Sequence, residues 1–272
     1  MATINAKMVQ ELREKTGVGM MDCKKALVAA DGDMEKAIEH LRKAGIAKAE
    51  KKSGRTTNQG KVWTCIGKGE AAIIEMLCET DFAAKTPKFG ELVERLAADA
   101  LALQQTGDIS AALNEKDGSV ISDAIGVISE NMQLRRAMRF EGAGNTFAGY
   151  HHGDGRVSVL VEVEGECDAA LMNDICLHIA AFSPSYIDGC DVPEEIIAKE
   201  KEIALAADPK LASKPAAILD KILGGKVQRY FSEFCLMQQP WVKDDKTTLA
   251  KLKPGLKVKR FIRWAVGEEI QG

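Results

Sequence analysis

A chain of 272 residues, 46% apolar and 28% charged, has room for one large domain or two to three small ones and the make-up of a soluble globular protein. A net charge of −3 gives no global nucleic-acid footprint. No apolar run approaches the ~20 residues that span a bilayer, and the N-terminus has neither a signal-peptide core nor the one-signed charge of a transit peptide, so a cytoplasmic protein without membrane contact is expected.

Residues 4–44 predict three short helices. Ile4, Met8 and Leu12 space one apolar stripe, with Val9 beside it. Gly17-Val18-Gly19 breaks the chain, and Met20, Met21, Cys23, Leu27 and Val28 then give a second helix. Asp31-Gly32-Asp33 breaks it, and Asp33 is placed to cap a third helix carrying Met34, Ala37, Ile38 and Leu41. A compact bundle is expected over 1–47. Two readings of Gly17, Val18, Gly19, Met20 and Met21 stand side by side. One is a helix–helix turn with methionine as core filler; the other is an adaptable docking patch. Residues 48–60 lack apolar periodicity and predict a flexible linker.

A first core subdomain is expected over 61–145. Val62–Ile66 and Ile73–Leu77 predict a hairpin around Gly67-Lys68-Gly69. The second strand ends abruptly in Glu79-Thr80-Asp81-Phe82. Thr80 or Asp81 can cap a helix start, which leaves Phe82 on a corner. There Phe82 either folds back as a hydrophobic staple or projects as a wedge for a partner. Helices are predicted over 89–103, with Leu92, Val93, Leu96, Ala100 and Leu103 on one side, and over 120–132.

The plan then repeats in 146–272. Strands are predicted over 146–150 and 157–163 around Gly153-Asp154-Gly155, followed by a helix over 169–182. Hairpin then helix, twice, suggests two similar α+β subdomains. Narrowly apolar helices over 193–206 and 215–230, around Asp208-Pro209, predict an antiparallel helical hairpin at about 193–232. A strand over 256–266 closes the pattern.

No enzyme signature stands. The phosphate-binding Gly-x-x-x-x-Gly-Lys-Ser/Thr is absent, so direct nucleotide binding is not expected. Ser183-Pro184-Ser185 lacks a nucleophile elbow. His151 and His152 are adjacent on a strand and point apart, as hairpin histidines rather than a metal pair. His178 lies beside an apolar helix face and reads as a satisfied core histidine. Seven cysteines without Cys-x-x-Cys spacing read as reduced fillers; neither a metal site nor a cofactor is expected, and redox chemistry fails on the same spacing. Charge is locally uneven: residues 1–60 hold twelve Lys/Arg against eight Asp/Glu, and 241–263 hold eight against two. With Trp241, Phe261 and Trp264 nearby, these stretches keep open an alternative, an RNA- or ribosome-binding protein.

Segments Leu12–Leu27 and Ala71–Ala84 together resemble bacterial-type translation elongation factor Ts. The similarity continues in order through Gly32–Ile38, Glu130–Arg136, Tyr150–Arg156 and Phe261–Glu268. The resemblance implies a ubiquitin-associated-like N-terminal bundle, two related core subdomains, and a helical hairpin that contacts another subunit in a dimer or heterotetramer. It implies a guanine-nucleotide exchange factor, without covalent chemistry of its own. Such a factor binds elongation factor Tu in its GDP-bound and nucleotide-free forms and releases GDP by disturbing the Mg²⁺/phosphate site. By this resemblance Thr80, Asp81, Phe82 and Ala83 displace the partner's Mg²⁺, while Gly17, Val18, Gly19, Met20, Met21 and His152 bind the partner. Many relatives carry Val where Ala83 stands. The family often continues with a further C-terminal helical module, whereas this sequence stops at Gly272.

Overall fold

The computed structural model describes residues 4–208, 211 and 214–270. The fold is α+β. Its described residues fall into two compact units. The first comprises Met1–Glu141, His151–Ser158 and Trp264–Gly272; the second comprises Gly142–Tyr150 and Val159–Arg263.

The first unit opens with α1 (Ala6–Thr16), α2 (Met20–Ala29) and α3 (Met34–Lys52). Asn5 caps α1 by accepting the Met8 N–H at 2.9 Å. Gly17 ends it at φ +69°, a left-handed geometry that an L side chain resists, with its N–H on the Arg13 carbonyl. Asp33 caps α3 through the N–H groups of Glu35 and Lys36. Val9, Leu12, Cys23, Ala26, Leu27 and Ala37 form the small core between these helices. Val28, expected on the apolar face, is 60% exposed.

The stretch 48–60 differs from the expected linker. Residues 48–52 continue α3, and β1 begins at Gln59. Ala, Lys and Glu are strong helix formers, and this last part of α3 has a surface to cover. It lies against α6 (Ser110–Ile128), where Gly45 and Gly126 meet so closely that a Cβ on Gly126 would stand 3.3 Å from the Gly45 Cα. Ala49 packs on the main core, and the Lys52 ammonium donates to the Ser129 carbonyl.

That core lies under an antiparallel sheet in the order β1-β2-β4-β3, built from β1 (Gln59–Gly67), β2 (Glu70–Cys78), β4 (Met132–Glu141) and β3 (Gly107–Asp108). β1 and β2 pair from Gln59↔Cys78 to Gly67↔Glu70. Helices α5 (Pro87–Leu101) and α6 cover the sheet; α5 buries Phe89, Leu92, Val93, Leu96, Ala97 and Ala100. A four-residue helix, α4 (Asp81–Ala84), joins β2 to α5. α6 starts ten residues before the expected Val120, because Asp117 and Gly118 interrupt its apolar period.

β4 is a central strand that periodicity did not announce. It carries Arg135, Arg136 and Arg139. In the fold each meets a carboxylate. Glu75 on β2, fully buried, accepts from Arg135 at 3.1 Å and from Arg136, and the Gly267 N–H closes the set at 2.8 Å. Arg136 also pairs with Glu268 at 2.8 Å and lies over the Trp264 ring. Arg139 pairs with Glu70 and Glu141.

The second unit centres on a sheet in the order β5-β6-β9, from β5 (Thr146–His152), β6 (Val157–Val163) and β9 (Val258–Ala265). α7 (Ala169–Phe182), capped by Asp168, packs Met172, Ile175 and Ile179 against Val159, Val161 and Val163. A single 3₁₀ turn over Gly189–Asp191 precedes α8 (Glu194–Ala207), which packs against α9 (Ala216–Phe234). Asp208 ends α8, and the expected turn residue Pro209 lies outside the described residues. The short elements β7 (Pro240–Trp241), β8 (Asp244–Thr248) and α10 (Leu249–Leu252) follow. His178 is fully buried; its Nδ1 accepts the Val242 N–H, so Nε2 carries the proton toward the Gln239 carbonyl oxygen. Phe182 and Trp241 stack with its ring.

Candidate functional site

β2 is a run of buried residues from Ala71 to Cys78. It cannot continue past Glu79 without burying charge, and Thr80 turns the chain into α4. Thr80 sits at φ −125°, ψ 155°, and its hydroxyl oxygen accepts the Ala83 N–H at 3.2 Å. One helical turn then sorts the four residues by side. Ala83 and Ala84 face the core at 4% and 7% exposure, whereas Phe82 stands 79% exposed. The staple reading of Phe82 is therefore overturned: an apolar ring of this size projects from the corner instead of returning to the core.

Asp81 shares the outward face and pairs with Lys85 at 2.8 Å. The hydrogen bond from Lys85 holds its carboxyl below the ordinary value, so it carries full negative charge at neutral pH. Thr86 closes the corner by donating to the Ala83 carbonyl at 2.8 Å and capping α5 at Phe89. Of the four residues expected to act on the partner's Mg²⁺, Asp81 and Phe82 face out. Thr80 is engaged inward, and Ala83 belongs to the core. Replacing Val by Ala at 83 thus removes packing beneath the corner rather than surface above it.

The second predicted group lies at the start of α2. Gly19 is its N-cap residue, and Met20 and Met21 are 49% and 67% exposed. The core-filler reading fails for these two, since Cys23, Ala26 and Leu27 fill the core. Val18 is half-buried, and its carbonyl accepts the Cys23 thiol. Beside this turn lies a cavity of about 530 Å³ whose lining includes Thr16, Val18, Ala26, Leu41, Gly45 and Val127. Lys88, in the first turn of α5, donates to the Gly17 carbonyl at 3.3 Å. One bond therefore ties the Gly17–Met21 turn to the helix that follows the Phe82 corner.

His152 is exposed at the end of β5. Its neighbour holds the more specific environment. His151 stacks on Trp63 with ring centroids 3.7 Å apart. Its Nε2 accepts the Thr64 N–H at 3.0 Å, which places the ring proton on Nδ1. Burial, then the Lys61 charge, push its pKa down to about 4. Lys61 is itself buried and pairs with Asp154 at 2.8 Å, and the Val62 N–H donates to the Gly155 carbonyl. Gly155 stands at φ +83°, and a Cβ there would come within 3.1 Å of the Val62 carbonyl. From its neighbours alone His151 reads as a hairpin histidine; the signal for its stacked environment is an aromatic residue, Trp63, on the other predicted hairpin.

The corner also uses residues that no spacing argument selected. Glu130 and Asn131, at the start of the Glu130–Arg136 segment, grip Thr80 and Glu79. Six of the seven thiols are pushed up, away from the reactive thiolate form. Burial raises Cys78 and Cys176 to about 12 and Cys235 to about 11, and the adjacent Asp191 raises exposed Cys190. Among the described residues no three His, Cys, Asp or Glu side chains converge to hold a metal ion, and no helix is long and apolar enough to cross a membrane.

The corner thus holds an exposed aromatic ring beside a carboxylate, on a helical turn fixed by its cap. The family profile described as Elongation factor TS matches residues 79–268, which begin at this corner. The chain belongs to the elongation factor Ts family. An Elongation factor Ts of Thioalkalivibrio sulfidiphilus is 45% identical, covering 99% of this chain and 94% of that protein. One from Alcanivorax borkumensis is 43% identical over 97% of this chain, and one from Pediococcus pentosaceus 42% identical over all of it; each is again covered to 94%.

Proposed function

We propose that this chain is the guanine-nucleotide exchange factor for elongation factor Tu in translation elongation. It acts in the cytoplasm on the GDP-bound and nucleotide-free partner, without covalent chemistry or nucleotide binding of its own. The observation that carries the mechanism is Phe82, 79% exposed on a corner whose other residues are fixed.

A G protein holds GDP through backbone donors and Mg²⁺. An exchange factor need not touch either. It must bind the nucleotide-free state more tightly than the GDP state, and linkage then weakens GDP by the same factor. Phe82 supplies such a difference if its ring fits only between partner elements that have moved apart. Asp81 brings a negative charge that disfavours the magnesium-bound arrangement or recruits a partner donor. The bundle over 1–47 docks through Gly17, Val18, Gly19, Met20 and Met21, with exposed thioethers adapting to the partner surface. His152 adds a contact from the core. The core subdomains over 61–145 and 146–272 carry these elements, and the α8–α9 hairpin, with Ile203 and Ile218 each half-exposed, contacts a second subunit in a dimer or heterotetramer.

Two of the three aromatic groups behind the RNA-binding reading are engaged within the fold. Trp241 is 4% exposed, and Trp264 is covered by Arg136 at 4.1 Å. Lys257 pairs with Glu164 and Arg260 with Glu162.

The test is release of a fluorescent GDP from elongation factor Tu. Substoichiometric chain should accelerate it through many turnovers; unchanged release at saturating chain would overturn the proposal.

A further inference from the structure

α4 has four residues. Helix nucleation is unfavourable, and isolated helices shorter than about a dozen residues are marginal in water. The geometry that aims Phe82 is therefore imposed from outside, and Thr80 is where it is imposed. Every polar group of Thr80 has a partner. Its N–H donates to Glu130 Oε2 at 2.9 Å, and its hydroxyl donates to Glu130 Oε1 at 2.6 Å. With its proton committed to Glu130, the hydroxyl faces α4 with lone pairs alone, and accepts the Ala83 N–H. The Thr80 carbonyl accepts from the Ala84 N–H and from the Cys78 thiol, each at 3.2 Å.

The opposite corner is held in return. Asn131 donates its N–H to Glu79 Oε1 at 2.6 Å, and its side-chain amide donates to the Arg55 carbonyl at 2.8 Å. Glu79-Thr80 and Glu130-Asn131 thus exchange side-chain-to-main-chain bonds across the space between the end of β2 and the start of β4.

We propose that Glu130 is a positioning residue for nucleotide exchange: its carboxylate locks Thr80 as the cap of α4 and so holds Phe82 projected before the partner arrives. A carboxylate suits the place because both Thr80 atoms are donors. A glutamine there has one acceptor oxygen and sets an NH₂ group against a donor. The benefit is preorganisation, since a ring already held in its bound direction loses less freedom on docking. This role rests on the reading of Phe82 as the wedge.

The experiment uses the full chain as wild type, Glu130→Gln, Phe82→Ala and the double variant. It reads GDP release from elongation factor Tu at subsaturating chain, amide hydrogen exchange at Ala83 and Ala84 in the free chain, whose N–H groups bond to Thr80, and thermal unfolding. Glu130→Gln should speed exchange of those two amides about tenfold and slow GDP release roughly tenfold, the scale of losing one charge-assisted hydrogen bond. Because it acts through the ring, it should add little to Phe82→Ala. Thr80→Val removes the hydroxyl while keeping its shape, and should reproduce the pattern if Glu130→Gln does not fold. Wild-type GDP release by Glu130→Gln beside a slow Phe82→Ala, or penalties that add in the double variant, would overturn the positioning role alone. Normal release by Phe82→Ala would overturn the wedge reading and this role with it, even where the amide data show the corner loosened.

Discussion

Phe82 and Ala83 are chain neighbours with opposite surroundings, and the difference lies in which side of one helical turn each occupies. Truncating Phe82 to Ala leaves no cavity, because the ring has no core contacts to lose. Its melting temperature should stay close to wild type. If the ring is an interface hot spot worth about 2 kcal/mol or more, GDP release should slow roughly 30-fold or more. A large fall in melting temperature with normal release would reverse the assignment. Ala83→Gly offers the contrasting measurement, loosening the corner from below and registering in stability first. At His151 the pKa is pushed from 6.5 to about 4. The unfolded chain therefore binds more protons than the folded one between those values, so stability falls as pH drops from 6.5 toward 4 and this contribution is then fully lost. His178 is lowered in the same direction by burial. His151→Gln, neutral throughout but still able to accept from Thr64, should flatten part of this slope in acid-unfolding measurements.

At the scale of elements, α6 carries two glycines in unlike places. Gly118 has open space where a Cβ would go, while Gly126 faces the Gly45 Cα at 3.3 Å. Gly118→Ala should stabilise by about 0.5–1 kcal/mol, the helix-propensity difference. Gly126→Val should destabilise by about 1–3 kcal/mol, because α3 must move away. Equal effects at the two positions, measured by urea unfolding, would remove the close crossing of α3 and α6. β2 and β4 are joined by a different device. Glu75 is fully buried between Arg135 and Arg136, and Glu75→Ala leaves both cations without it. A loss of about 3–5 kcal/mol is expected, on the scale of breaking a buried pair from one side. A change under about 1 kcal/mol would mean that Glu268 and the Trp264 ring suffice for the arginines.

Across the whole molecule, the continuity of α3 changes what a truncation does. A flexible linker over 48–60 would let residues 1–52 be deleted without cost to the core. The structure instead packs Ala49 on the main core and ties Lys52 to Ser129. Deleting 1–52 uncovers one side of α6, and the remaining chain should lose about 2–4 kcal/mol, the value of a few buried side chains. An unchanged unfolding midpoint for residues 53–272 would restore the tethered-domain picture.

The sequence by itself determined the local pieces. Asn5, Asp33, Thr80, Thr86 and Asp168 each carry a short acceptor at the start of an apolar pattern, and each caps a helix. The strand ending at Cys78 and the corner at Phe82 were equally legible, because an apolar run and a polar stop are properties of neighbours in the chain. The direction of Phe82 was not legible. A staple and a projecting wedge share the same local residues, and only the inward packing of Ala83 and Ala84 separates them. β4 and the end of α3 were hidden for a related reason. Charged side chains read as solvated until partners distant in sequence arrive: Glu75 for Arg135 and Arg136, Ser129 for Lys52, Thr80 for Glu130. Local periodicity records what a segment can bury, whereas only tertiary structure decides which charges find one another and which apolar ring is left outside.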